Sequence, residues 1–302
     1  MTIDERDWNA LTAGERIRNL ELEGYAVLPG HLDGSLLSRL REAAERIPLR
    51  RSNYTDTHWY AHDLQWRADP AVLEMAASAR TLDFLDELFA DDVVCLGVSF
   101  SRSEPGYPGM ALHTDSHPYG SNLHGARGTS PVLVRVLCYL DDLTPDRSPM
   151  RVVPYSHLSM HRDAMPYRRY REHPEETTVT CRAGDAIVIN HRVFHGVGPN
   201  RTGTARRAFA ASYRPAWARP AQPLPEHSRE QLERVGPAVR GLFEDPNRGL
   251  TDTYIVNWSD DLPAAGPGLG PARWLGPRMR QPSPGDSRPD PRRHPPTEGR
   301  RR

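Results

Sequence analysis

The chain has 302 residues, 37% of them hydrophobic, which is enough for a sizeable core. Its 39 basic residues balance 39 acidic ones, so the net charge gives no reason to expect binding to nucleic acid or to an anionic membrane. All of these basic residues are arginines, which excludes Schiff-base and phosphate-loop lysines. Three scattered cysteines without CxxC spacing, no secretory signal and no long apolar run favour a cytoplasmic protein.

Helices are expected in the amino-terminal part of the chain. Apolar residues recur at helical spacing from Leu36 to Ile47, behind Asp33 or Ser35 as a candidate N-cap. A second helix is predicted to start at Asp69-Pro70, a cap followed by a first-turn proline, and to run through Leu88. Helices of this kind commonly brace one face of a sheet.

From Val93 onward the pattern changes to short strands separated by glycine and proline turns. This pattern favours a sandwich or barrel, and the fold class that we predict is mainly β, a double-stranded β-helix (a jelly roll, cupin-like) with flanking α-helices. The predicted strands are 93–100, 132–140, 150–154, 186–190 and 207–213.

The carboxy-terminal part is predicted to hold a helix at 226–243 and a strand or lid at 250–258. From about residue 278 the chain is rich in proline, arginine and serine without periodicity, which predicts disorder. We therefore expect one domain over 1–277 and a disordered tail over 278–302. The oligomeric state is left open.

The tripeptide His113-Thr114-Asp115 offers two metal ligands at a spacing of two. In a strand, residues i and i+2 point to the same face, so His113 and Asp115 can bind one ion together. Two histidines and a carboxylate leave iron(II) with open positions for an organic co-substrate and O₂, whereas zinc sites with these ligands leave one for water.

A second histidine and an arginine follow far downstream. A Gly-Asp turn at Gly184 leads into the apolar strand 186–190, which we expect to deliver His195 as the third ligand. Arg206 lies in the next alternating segment, where its guanidinium can bind a carboxylate with two parallel hydrogen bonds. A metal site and a carboxylate-binding arginine together indicate 2-oxoglutarate.

With these residues in place, the chain resembles the phytanoyl-CoA dioxygenase family of iron(II)/2-oxoglutarate oxygenases, from about Leu20 to Tyr213. The similar blocks are the opening LEGYAVLPG at 22–30, the central LDDLT at 140–144 with MRVVPYSH at 150–157, and HGVGPN at 195–200 followed by Arg206. In the opening block, the family's pattern is a helix that ends at glycine and a strand that begins there.

The resemblance implies that His113, Asp115 and His195 bind Fe(II), and that Arg206 pairs with the distal carboxylate of 2-oxoglutarate. Arg102 and Tyr139 are further candidates for contacts with 2-oxoglutarate. The chain departs from the family's pattern at Tyr155, where the family has glycine, and at Val197, where a small hydroxyl residue can contact the co-substrate.

The expected reaction is the oxidation, in the first instance hydroxylation, of a C–H bond of a small molecule, with O₂ consumed and succinate and CO₂ released. Halogenating relatives have glycine or alanine at the position of Asp115, so halogenation is not expected. We expect a polar, ring-containing substrate from secondary metabolism, because residues 54–66 combine aromatic and hydrogen-bonding side chains. That segment can equally pack the helices against the sheet, and residues 116–131 are either a lid or a solvated loop.

Two other classes of function remain open from the sequence. The first is a zinc- or manganese-dependent jelly-roll hydrolase or isomerase, which would have no use for Arg206. The second is a catalytically silent binding module, a role that jelly rolls also take.

Overall fold

The computed structural model describes residues 2–66, 69–114, 133–158, 173–218, 227–235 and 237–244. Within them, two β-sheets contribute to one hydrophobic core. The five-stranded sheet has the order β1 (Thr2–Ile3), β9 (Thr177–Val179), β8 (Met150–Val153), β11 (Phe194–Val197) and β6 (Met110–His113). The seven-stranded sheet has the order β2 (Tyr25–Leu28), β10 (Ala186–Asn190), β7 (Val134–Tyr139), β12 (Arg206–Pro215), β5 (Val93–Ser103), β4 (His58–Ala61) and β3 (Arg50–Arg51).

The two-sheet architecture confirms the predicted jelly-roll class with flanking helices. The helices are α1 (Ala13–Glu23), α2 (Gly34–Arg46), α3 (Pro70–Ala76), α4 (Ala79–Phe89), α5 (Arg229–Arg234) and α6 (Pro237–Phe243), with a 3₁₀ turn at Leu64–Trp66. None of the helices in these described ranges is long and apolar enough to cross a membrane. The predicted tail, the predicted segment 250–258 and the boundary at 277 lie outside the described residues.

The first helix and strand meet at a glycine, as the resemblance implies. Helix α1 begins with a capping box in which Thr12 and Glu15 bind each other's backbone N–H groups, and it ends at Gly24 with φ 88°. A Cβ at Gly24 would lie 2.5 Å from Cγ2 of Val193, so both backbone conformation and packing require glycine there.

Two predicted helices are each broken into two. The predicted helix beginning at Asp69-Pro70 stops at Ala76, because Ser78 adopts extended backbone and caps a new helix by accepting from the N–H of Thr81. The predicted helix over 226–243 divides into α5 and α6, since Pro237 has no N–H to continue the first of them. Apolar residues keep their helical spacing across both breaks, so the spacing alone predicts a continuous helix in each case.

The strand that we expected to deliver His195 is two strands. Strand β10 is fully buried, pairs with β2 and β7, and ends at Asn190. Residues 191–193 then turn the chain into the other sheet, where β11 carries His195 between β8 and β6. His195 therefore lies on the five-stranded sheet, whereas Arg206 lies on the seven-stranded sheet.

Helices α2 and α3 cover one face of the seven-stranded sheet. Tyr213 donates from its hydroxyl to the carbonyl of Ala76 in α3 at 2.7 Å, and Arg207 pairs with Glu45 of α2 at 2.7 Å. Alternation along β12 therefore turns Arg206 to the opposite face, the one that is not covered by these helices.

Candidate active site

His113 and His195, predicted from segments far apart in sequence, lie side by side. Strands β6 and β11 are antiparallel neighbours, and His195 is directly opposite His113 in their register. Residues in that relation project from the same face of the sheet. The centroids of the two imidazole rings are 4.4 Å apart, so both can reach one ion.

Backbone contacts set the tautomer of each imidazole. Nδ1 of His113 lies 3.0 Å from the carbonyl oxygen of Ala111, and Nδ1 of His195 lies 3.0 Å from that of Val193. Because a carbonyl oxygen only accepts hydrogen bonds, each Nδ1 carries the proton, and in the neutral ring Nε2 is the atom with the lone pair. This is the usual arrangement in metal-binding histidines, so the pair fits a transition metal such as iron.

The third predicted ligand, Asp115, lies outside the described residues. The described chain stops at Thr114, one residue beyond the end of β6. Within the described ranges, no three His, Cys, Asp or Glu side chains come together as potential metal ligands. Two of the three predicted ligands are thus placed together, and the role of Asp115 stays a prediction.

Arg206 is the first residue of β12, and its side chain is buried although it is charged. Only 4% of the residue is exposed, and its Nη1 donates to Oγ of Ser101 at 3.1 Å. Its buried Nε has no hydrogen-bond acceptor among the described residues. A buried cation with an unpaired Nε is costly unless an anion completes its hydrogen bonds, so the site fits a carboxylate.

Tyr139 lies on the same face as Arg206. It is opposite Ala208 in the register of β7 and β12, and its ring centroid is 5.9 Å from the guanidinium carbon of Arg206. Burial raises the pKa of Tyr139, and the nearby guanidinium lowers it less. The phenol therefore keeps its proton at neutral pH and can donate a hydrogen bond to an anion beside Arg206.

Arg102, the other residue predicted to contact 2-oxoglutarate, lies on the face of the sheet opposite to that of Arg206. It lies opposite Arg207 in the register of β5 and β12, and its Nε lies 2.7 Å from a carboxylate oxygen of Glu104. Its Nη1 is 3.8 Å from Glu45 of helix α2, on the helix-covered side. Arg102 therefore belongs to a surface ion-pair network and is no candidate for the co-substrate site.

Ser101 and Arg135 lie on the inward face and were not predicted from the sequence. The run SFSRS at 99–103 carries serine at every second position, a spacing that predicts one polar face on a strand. Oγ of Ser101 accepts from Arg206, and Oγ of Ser99 accepts from Nη2 of Arg135 at 3.4 Å. That alternation could have identified a hydrophilic wall inside an otherwise apolar sandwich.

Two further histidines have structural contacts. His157 pairs through Nε2 with the carbonyl of Glu21 at 2.7 Å, and His191 pairs through Nδ1 with that of Leu133 at 2.8 Å. Both residues are buried, and burial lowers the pKa of His157. These contacts join neighbouring segments at the end of the sandwich that carries His195.

A family model of phytanoyl-CoA dioxygenase matches residues 20–208. The chain belongs to the phytanoyl-CoA dioxygenase family. This confirms the membership expected from the sequence. Among curated relatives, dioxygenase andF of Emericella variicolor is 31% identical over 150 residues, which cover 49% of this chain and 50% of the relative. This member of the family thus spans about half the length of that relative.

Solved structures share the phytanoyl-CoA dioxygenase fold of this chain. HygX from Streptomyces hygroscopicus, solved with nickel, 2-oxoglutarate and hygromycin B bound, is 20% identical with a TM-score of 0.58, covering 73% of this chain and 94% of HygX. The non-heme alpha ketoglutarate dependent epimerase SnoN from nogalamycin biosynthesis is 22% identical with a TM-score of 0.56. The match covers 68% of this chain and 83% of SnoN. At sequence identities of 20% and 22%, these similarities show that the fold is shared.

The backbone at Tyr155 is left-handed. Tyr155, at the position where the resemblance implies glycine, has φ 66° and leaves 56% of the residue exposed. Left-handed backbone suits glycine and is strained for tyrosine by about 1–2 kcal/mol. The next residue, Ser156, accepts from the N–H of Phe194 at 2.8 Å, so this turn supports the strand that carries His195.

Proposed function

We propose that the protein is an iron(II)/2-oxoglutarate-dependent dioxygenase that hydroxylates a C–H bond of a small molecule. The single observation that carries the proposal is a metal-competent histidine pair together with a buried arginine whose Nε has no acceptor among the described residues. A zinc- or manganese-dependent hydrolase would have no use for the second feature.

The residues have separate roles in this proposal. His113, His195 and Asp115 hold iron(II), with Nε2 of each histidine presented by the hydrogen bond at Nδ1. Iron bound there, together with 2-oxoglutarate and O₂, supplies the oxidation, which is coupled to the release of succinate and CO₂. Arg206 binds the distal carboxylate of the co-substrate.

The surroundings of Arg206 favour one orientation of the co-substrate. Ser101 holds one end of the guanidinium at 3.1 Å and so directs the remaining N–H groups inward. Tyr139 is buried beside them and can donate a hydrogen bond from its hydroxyl to the same carboxylate. Burial excludes water from this pairing, which strengthens it and fixes the keto acid end of 2-oxoglutarate toward the metal ligands.

The proposed substrate class is a polar, ring-containing secondary metabolite. Support comes from the neighbouring structures, since HygX was solved with hygromycin B and SnoN is named from nogalamycin biosynthesis. Within the aromatic segment, Tyr60 is opposite Ser101 in the register and therefore lies on the inward face. Trp59 is opposite Arg102 and lies on the outward face, so only part of this segment can line a substrate pocket.

Oxygen consumption tests the proposal without a known substrate. Purified protein with Fe(II) should consume O₂ slowly when 2-oxoglutarate is added, and it should form succinate in equal amount. Omission of Fe(II) or of 2-oxoglutarate is the control. Absence of succinate above the controls, from protein shown to bind Fe(II), would favour the hydrolase or binding-module alternatives.

A further inference from the structure

The peptide unit that joins Val193 to Phe194 is hydrogen-bonded at both of its polar ends. Its carbonyl oxygen accepts from Nδ1 of His195 at 3.0 Å, and its N–H donates to Oγ of Ser156 at 2.8 Å. A peptide unit is planar, so a rotation that moves one of these groups also moves the other. The hydroxyl of Ser156 is therefore coupled to the ring of His195 through one rigid plane.

Ser156 reaches this peptide unit because β8 ends in a turn beside β11. Val153 is opposite Phe194 in the register and is the last residue of β8. Tyr155, with φ 66°, then turns the chain back, and the N–H of Ser156 donates to the carbonyl of Val153 at 3.3 Å. Only 4% of Ser156 is exposed, so water competes little for its hydrogen bond with Phe194.

Contacts on both sides hold this arrangement in place. Nε2 of His157, the residue after Ser156, donates to the carbonyl oxygen of Glu21 in α1 at 2.7 Å. The side chain of Val193 packs so closely on Gly24 that a Cβ there would lie 2.5 Å from Cγ2 of the valine. Close packing of this kind leaves the turn and the peptide unit little freedom to move apart.

We infer that Ser156 is a positioning residue for the metal ligand His195, because its hydroxyl fixes the peptide carbonyl that holds the proton on Nδ1. This inference rests on the proposed function, which takes His195 as a ligand. Without the hydroxyl, the peptide plane is held less tightly, and the carbonyl of Val193 loses its alignment with Nδ1. The neutral ring then also adopts the tautomer with the proton on Nε2, which offers no lone pair to a metal at that atom. Nδ1 of His113 is held by the carbonyl of Ala111 instead, so that ring should keep its tautomer.

The tautomers of both histidines are measurable in the full chain before any metal is added. Long-range ¹H–¹⁵N correlation spectra of protein with ¹⁵N-labelled histidine distinguish the tautomers by their nitrogen chemical shifts, at a pH where the ring signals no longer change. The wild type should show His113 and His195 with the proton on Nδ1. Ser156→Ala should give His195 a substantial fraction of the Nε2-protonated form while His113 stays unchanged. Ser156→Thr, which keeps a hydroxyl, should restore the wild-type pattern.

Mn(II) binding, measured by the EPR signal of the free ion, gives a second readout. Loss of a group that orients a metal-binding histidine weakens metal binding, so Ser156→Ala should bind Mn(II) about tenfold more weakly than the wild type. Ser78→Ala is the matched control, because Ser78 also accepts from a backbone N–H, that of Thr81 at 3.3 Å, at the start of a helix that carries none of the predicted ligands. Ser78→Ala should lower the urea midpoint, as Ser156→Ala does, without a change in Mn(II) affinity.

The possible outcomes separate this inference from the proposed function. An unchanged His195 tautomer or an unchanged Mn(II) affinity in Ser156→Ala would overturn the role of Ser156. An equal change of tautomer in His113 and His195 would also overturn it, because it would mean a general loosening of the site. A wild type that fails to bind Mn(II) would refute the proposed function, whereas the tautomers, measured without metal, still decide whether Ser156 orients His195.

Discussion

Replacement of Arg206 by alanine separates an oxygenase from other proteins that bind a metal with the same ligands. The residue is 4% exposed and its Nε has no acceptor within the described part of the chain, so the guanidinium is desolvated before the co-substrate binds. Loss of such a cation from a buried pair with a carboxylate costs about 2–5 kcal/mol, equivalent to about 30-fold or more in the 2-oxoglutarate dissociation constant.

Ligand-induced stabilisation gives a second measure of the same change. At a 2-oxoglutarate concentration 100 times the wild-type dissociation constant, binding stabilises the wild type by about 2.7 kcal/mol. A variant that binds 30-fold more weakly gains about 0.9 kcal/mol under those conditions. Without ligand, Arg206→Ala should be nearly as stable as the wild type, because the alanine removes a buried cation with an incomplete set of acceptors.

Calorimetry with a redox-inert metal in place of iron measures the affinity. Arg206→Lys should recover only part of the loss, because an ammonium cannot form two parallel hydrogen bonds. Arg102→Ala is the matched control, since Arg102 is on the neighbouring strand but on the opposite face. Equal 2-oxoglutarate affinity in the wild type and Arg206→Ala would refute the assignment of the carboxylate site.

Three further predictions concern the metal, the strained turn and a buried histidine. His113→Ala and His195→Ala should each lose iron and succinate formation together while circular dichroism stays unchanged; iron retention at the wild-type level would contradict the ligand assignment. Tyr155→Gly should raise the free energy of unfolding by about 1 kcal/mol, because φ is 66° there and the side chain is largely exposed. Tyr155→Ala, which keeps the strain, should change stability less, and equal effects would argue against strain. Burial, with a smaller contribution from Arg80, lowers the pKa of His31 to about 4. The unfolded chain, with a histidine pKa of about 6.5, binds more protons between these values, so this group should cost about 2 kcal/mol of stability between pH 7 and pH 5. Urea unfolding of His31→Gln should show a shallower decline with falling pH, and an unchanged decline would contradict the assignment.

The sequence predicts the fold class and most strands because their patterns are local. Buried strands such as β10 are short apolar runs between turns, and the alternation in β12 is plain. The crossing of the chain from one sheet to the other between Asn190 and Phe194 was missed, although Asn190, His191 and Arg192 are polar, because a turn does not specify which sheet the chain enters next. Sheet membership depends on long-range pairing, which no local pattern specifies.

The sequence predicted which histidines come together, but it did not predict which face of a strand turns inward. His113 and His195 were predicted from the motifs around them, and they lie together as expected. Arg102 was misassigned because strand alternation gives relative faces but not which face turns inward. Only the register with Arg207 and the contact with Glu45 decide that. Ser101 and Arg135 were not predicted, because a polar residue on a strand faces solvent more often than the interior.

Anaerobic titration of the Fe(II)-loaded protein with 2-oxoglutarate is the most direct test of the central claim. A keto acid that chelates iron(II) produces a visible charge-transfer absorption band, which requires both the metal ligands and the co-substrate. The account predicts a saturable band for the wild type, none for His195→Ala, and a band that needs at least about 30-fold more 2-oxoglutarate for Arg206→Ala. Absence of the band in the iron-loaded wild type, or its persistence unchanged in both variants, would contradict the account.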